Sequence, residues 1–313
     1  MIDKQKNFNA EPAHGSSMSS RSDRQRNETR SHLLQILKPL QPIEDDMQRY
    51  DCGDPMDTDG NAAILSHMKN GNAPLLRKIW GDVDDHAVLA ANSMQHVSLF
   101  CIPAIAASAH LIQKNRYRED SAFALQSSKT AEFLHDVTIA QHDENFSTFA
   151  IAHHHLPPND RQAANLPPKT VHQKPVQHKH GIPHAVMAYS FYESLRAAEF
   201  IAEHKGITLT QEEKNEHYRY FSEILRRSGY RCPTERAEME SIAERMDALA
   251  GMNPTNVDLM KRTLAHLNTY PNNLVLFRVP RSSLAIPREW IHSFLRPLSQ
   301  KVFDEIDATN AEV

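Results

Sequence analysis

The chain has 313 residues, 40% apolar and 24% charged, which is enough to bury a sizeable core, and only 7% are aromatic. Nine glycines argue against a Gly-rich phosphate cradle and a turn-dense β-sandwich, and Lys+Arg 35 against Asp+Glu 39 leaves a net charge of −4, without the basic footprint that nucleic acid demands. Three widely spaced cysteines, Cys52, Cys101 and Cys232, exclude a disulfide framework and point to a reducing compartment.

Residues 1–30 are polar and without apolar period, so they are expected to form a disordered tail. The first residues also lack the apolar run of a secretory signal, an expectation of cytoplasmic retention. From His32 a short amphipathic piece (Leu33, Leu34, Ile36, Leu37) runs to Pro39 and Pro42, and another with Ile64, Met68, Leu75 and Leu76 follows Asp54-Pro55. Both read as short peripheral helices. Between Asp84 and Gln141 two long helices are expected, broken around Asn115 to Asp120. The uncharged stretch from Val97 to Ile112 is 16 residues, short of the roughly 20 needed to span a bilayer, and reads as a buried helix bent at Pro103.

The second long helix carries Phe123, Thr130, Leu134 and Val137 on one face at near 3.6 spacing. Pro157, Pro158, Pro167, Pro168 and Pro175 mark an irregular connection over about 157–183, with seven histidines in or beside it. Beyond Pro183 a stripe of Met187, Phe191, Leu195, Ala198 and Ala202 predicts a helix that Gly206 terminates. Thr210-Gln211-Glu212-Glu213 reads as a capping box opening the next helix, which turns Tyr218, Phe221 and Leu225 inward and stops near Gly229. Tyr218, Tyr220 and Phe221 read as core packing. Further helices fit 234–250, 255–269 and 287–305, and period-2 alternation is nowhere sustained. The fold class is all-α: a single helical bundle domain over 31–313.

Polar groups on an apolar face need partners. Gln126 and Thr130 lie four residues apart on the stripe of Phe123 and Leu134, with Lys129 beside them, and they either bond neighbouring backbone and water or line a cofactor pocket. His153, His154 and His155 end an apolar stretch from Phe146 to Ala152, and imidazole is a common metal and haem ligand. Successive residues on a helix point about 100° apart, so His153 and His154 are not equivalent. His172, His178, His180 and His184 form no HExxH or i, i+4 zinc pair and read as a solvated polar connection. Neither a Gly-x-Ser-x-Gly elbow nor a dinucleotide or P-loop fingerprint occurs.

Asp54-Pro55-Met56, the Leu99-Phe100-Cys101 helix, Lys129-Thr130-Ala131-Glu132-Phe133 with Asp136-Val137, Gly181-Ile182-Pro183, and the helix from Leu209-Thr210 to Ser228-Gly229 come in this order. That order resembles the rubber oxygenases (latex clearing proteins) and the related MpaB-type oxygenases over about residues 50–300. The resemblance implies haem b in a helical bundle, with His153 as the iron ligand and His154 as its alternative. It implies Lys129 and Thr130 as the catalytic distal pair, and a haem pocket that also takes in Gln126 and Phe133. Dioxygen and a small apolar or amphipathic molecule are the implied partners. Two positions depart from the pattern: Gln126 stands where the family has Arg, and Ala104 follows Pro103 where it has Glu. These departures point away from polyisoprene cleavage and motivate a rival reading, a non-catalytic helical binding protein on the same scaffold. A second rival is a non-haem metal oxidase using the histidine cluster with Asp136, Asp143 or Glu144.

Overall fold

The computed structural model describes residues 31–32, 34–52, 58–80, 87–112, 183–227, 230–269 and 286–311. Among them the fold is all-α and contains no strand. A short 3-10 turn, Lys38–Leu40, leads into α1 (Gln41–Met47), followed by α2 (Thr58–Trp80), α3 (Ala87–Phe100) and α4 (Pro103–Ile112). After residues 113–182 come α5 (His184–His204), α6 (Gln211–Arg227), α7 (Arg236–Asp247), α8 (Pro254–Thr269), α9 (Arg288–Phe294) and α10 (Pro297–Ala311).

The bundle is organised around α5. Fourteen of its residues are buried, on every face of the helix. It packs most extensively on α3 and also meets α1, α2, α6 and α7, while α8 bridges α3, α4 and α10. A helix buried all round must be largely apolar, and Ala185, Val186, Met187, Leu195, Ala197, Ala198, Ile201 and Ala202 supply that surface. The expected stop at Gly206 is present: its φ of +84° lets Ile207 N–H reach the Ala202 carbonyl at 3.0 Å and Gly206 N–H reach Glu203 at 2.9 Å. The capping box of α6 is reciprocal. Glu213 N–H donates to Thr210 Oγ1 at 3.1 Å, and Thr210 N–H donates to Glu213 Oε2 at 2.8 Å. Tyr218, Tyr220 and Phe221 are buried in the core, as expected of core packing.

Three expectations are corrected. The segment after Asp54-Pro55 is no short peripheral piece but the 23-residue α2, which contains Pro74 and buries Leu76, Ile79 and Trp80 at its end. The apolar stretch 97–112 is not one bent helix, because α3 ends at Phe100 and Pro103 opens α4. The carbonyls released at this break find donors from the α7–α8 loop and the first turn of α8. Gly251 N–H bonds Cys101 O at 3.1 Å, and Asn256 Nδ2 bonds Phe100 O at 3.1 Å. The span 287–305 likewise divides into α9 and α10 at Pro297. No helix among the described residues is long and apolar enough to cross a membrane.

Candidate functional site

Gln126, Lys129, Thr130, Phe133, His153 and His154 all lie outside the described residues, as do Phe123, Leu134, Asp136, Asp143, Glu144 and the tail 1–30. In the chain, the candidates fall between the end of α4 and the start of α5. The described residues instead bring together four polar clusters, three of them on α5.

The first cluster is centred on Glu199. Arg236 of α7 approaches its carboxylate with both terminal nitrogens, Nη1 to Oε1 and Nη2 to Oε2, each at 2.8 Å. His217 of α6 adds a third bond, Nδ1 to Oε1 at 2.8 Å. The indole of Trp80 fixes the proton positions on that ring. An indole N–H can only donate, and it lies 2.9 Å from His217 Nε2, so Nε2 accepts and Nδ1 carries the hydrogen given to Glu199. Burial pushes the Glu199 carboxyl up, but the His217 and Arg236 hydrogen bonds and the Arg236 charge more than reverse this, leaving it below the ordinary carboxylate range.

The second cluster is centred on Glu193, which is fully buried. Arg196 Nη1 donates to both carboxylate oxygens at 2.7 and 2.9 Å, Arg296 Nη1 donates to Oε1 at 2.6 Å, and Ser98 Oγ donates to Oε2 at 2.8 Å. Here too burial raises the carboxyl, and the two guanidinium charges outweigh it and hold it down. Tyr189 lies 3.3 Å from Ser98 Oγ and its phenol is pushed up, chiefly by burial. Beside it on α3, Gln95 Nε2 donates to the Ser190 carbonyl at 2.8 Å while its Oε1 is buried without a hydrogen-bond partner.

The third cluster joins α10 to the break after α3: Ser299 Oγ donates to Asp247, and the Cys101 thiol, 3.3 Å from the Ser299 carbonyl, is pushed up by burial and the nearby Asp247 charge. A thiol held protonated is no nucleophile. The fourth sits at the start of α5. Glu44 of α1 accepts the backbone N–H groups of His184 and Ala185, and His184 Nδ1 accepts the Arg231 N–H at 3.1 Å. His184 is therefore half-buried and engaged, a correction to its reading as part of a solvated connection.

Chemically, the first two clusters are closed. Every carboxylate oxygen of Glu193 and Glu199 is occupied by this chain's own donors, and both ring nitrogens of His217 are taken. Among the described residues no group of three or more His, Cys, Asp or Glu is placed to hold a metal ion. The sequence reading singled out none of Trp80, Glu193, Glu199 or His217. The available signal was Glu193 and Glu199 set in an alanine-rich helix whose surrounding residues are mostly buried. No family model, curated protein or solved structure matches the chain.

Proposed function

We propose that the chain is a haem b-dependent oxygenase-type oxidoreductase, acting with dioxygen on a small apolar or amphipathic organic molecule. One observation carries the reading: the ordered run of motifs that resembles the rubber and MpaB-type oxygenases belongs to an all-α protein. In this reading the ligand imidazole comes from residues 113–182, and the described core is compatible with that assignment because His217 has no free ring nitrogen to offer iron. His153 would bind the iron, with His154 as the alternative; Lys129 and Thr130 would donate hydrogen bonds on the distal side, Phe133 would add an apolar wall, and Gln126 would supply a neutral amide where the family has a guanidinium. The haem supplies the oxygen chemistry when bound. Buried Cys101 and Cys232, both free thiols, support a reducing compartment and so the cytoplasm.

The test is haem uptake. Full-length protein from haem-replete cells is expected to show a Soret band at roughly one haem per chain, as a single axial imidazole implies. His153→Ala should lose the haem or shift its spectrum severely, whereas Lys129→Ala should keep the haem and alter ligand binding. Colourless protein that also fails to take up added hemin would overturn the reading in favour of a non-catalytic helical binding protein. Stoichiometric iron without a Soret band would favour the non-haem oxidase.

A further inference from the structure

Residues 41–52 form a strap across the core, and its ties converge on one titratable ring. Ile43 and Met47 of α1 are buried, α1 packs on α5 and α7, and the preceding 3-10 turn packs on α4. At one end, Glu44 accepts the first two N–H groups of α5, from His184 at 2.9 Å and Ala185 at 2.8 Å, doing for this helix what its own N-cap residue, Pro183, does not. Three arginines hold the strap along its length: Arg245 the Pro42 carbonyl and the Asp46 carboxylate beside Glu44, and at the far end Arg231 the Gln48 and Tyr50 carbonyls and Arg226 that of Asp51. Arg231 is itself positioned by His184, whose Nδ1 accepts its backbone N–H. The Tyr230 ring meets the His184 ring in a T-shaped contact, with centroids 5.8 Å apart.

We propose that residues 41–52 are an acid-released strap, triggered when His184, which links the Glu44-capped turn of α5 to the Arg231 tie, takes up a proton. Nδ1 can accept the Arg231 N–H only while the ring is neutral. Once protonated, two N–H groups face each other, and an imidazolium stands beside the Arg231 guanidinium and at the positive end of α5. Burial, and then the Arg231 charge, hold the docked ring down at about 4 against an ordinary 6.5. A released ring regains the ordinary value, so docking weakens as pH falls from 6.5 and the loss levels off below 4.

The other charged groups facing this region are Glu44, Asp45, Asp46 and Arg49 on the strap, Arg226 on α6, Arg231, and Glu238 and Arg245 on α7. Glu44 works against release. Burial raises its carboxyl, so the docked strap takes up that proton more readily than a free one. The proposal is independent of the haem reading.

The test is hydrogen exchange by mass spectrometry on the full chain, comparing about pH 7.5 with about pH 5 after correction for intrinsic rates; the ring's partial exposure reduces an upper bound of about 30-fold to an expected loss of roughly ten-fold. The loss is expected in peptides from 41–52 and the first turn of α5, with residues 193–202 unchanged. His184→Asn keeps an acceptor and cannot titrate, so its strap should stay protected at both pH values. Unchanged protection of the wild-type strap in acid would overturn the proposal. So would acid opening of His184→Asn to the wild-type extent, which would assign the trigger to another group.

Discussion

Arg236→Met isolates the cost of stranding a buried carboxylate. Glu199 is 3% exposed, and among the described residues Arg236 is its sole cationic partner by hydrogen bond, joined in a bidentate pair. The remaining donor, His217, is neutral in the tautomer that Trp80 fixes. Methionine keeps much of the arginine stem's packing but leaves Glu199 without a counter-charge and removes a donor from the Lys214 carbonyl. Breaking a buried pair by deleting one partner costs about 3–5 kcal/mol, a large share of a typical total of 5–15 kcal/mol. Urea unfolding followed by tryptophan fluorescence reads this well, since of the two tryptophans Trp80 is bonded to the cluster through His217 and Trp290 packs against Phe200 and His204 of α5. The deficit should shrink as pH is lowered toward 5, because a stranded carboxylate takes up a proton that the paired one refuses. Glu199→Gln combined with Arg236→Met should recover more than half of the loss. A single variant within about 1 kcal/mol of wild type, or a double variant no better than the single, would refute the reasoning.

Glu193 gives a pH signature of its own. Its carboxyl is held below the ordinary value, so its contribution is fully present above about 4.5 and is lost as pH falls through the folded value. The gap in unfolding free energy between wild type and Glu193→Gln should be wide at neutral pH and narrow below about 4.5; a gap of constant width would remove the guanidinium clamp as its cause. Gly206→Ala should cost about 1–2 kcal/mol in the same unfolding assay. A Cβ there meets no atom within 4 Å, so the left-handed backbone is the whole penalty, and an unchanged midpoint would contradict the assignment.

Local signals were legible in the sequence. The Thr210-to-Glu213 box and the Gly206 stop are written within four to six residues of the helix ends they serve, and both have the geometry their chemistry dictates. Breaks stabilised from a distance were not. Pro103 within an apolar run reads as a bend, yet whether the chain bends or starts again depends on who takes the freed carbonyls, and the takers, Gly251 and Asn256, lie about 150 residues further along. Pro297 hides in the same way: the turn before it is held by Arg296 on Glu193 and by Arg196 on the Phe294 carbonyl. His184 reads as solvated because it ends a histidine- and proline-rich connection, while its partner Arg231 is 47 residues away.

The same distance rule explains why the polar heart of the fold was invisible while its apolar frame was plain. Glu193 and Glu199 sit six residues apart on α5, which turns them roughly 120° from each other, so they address different neighbours. Glu193 ties α5 to Ser98 of α3 and to Arg296 between α9 and α10; Glu199 ties it to His217 of α6 and Arg236 of α7, and through His217 to Trp80 of α2. Alanine-rich faces can slide by a turn at small cost, because small side chains interdigitate shallowly. A buried carboxylate cannot, since one turn of slippage would separate it from its guanidinium and leave both charges in the core. The two glutamates therefore fix the register of α5 against five other elements. With α5 fixed, so is His184, its first residue, which follows in sequence the stretch bearing Lys129, Thr130 and His153.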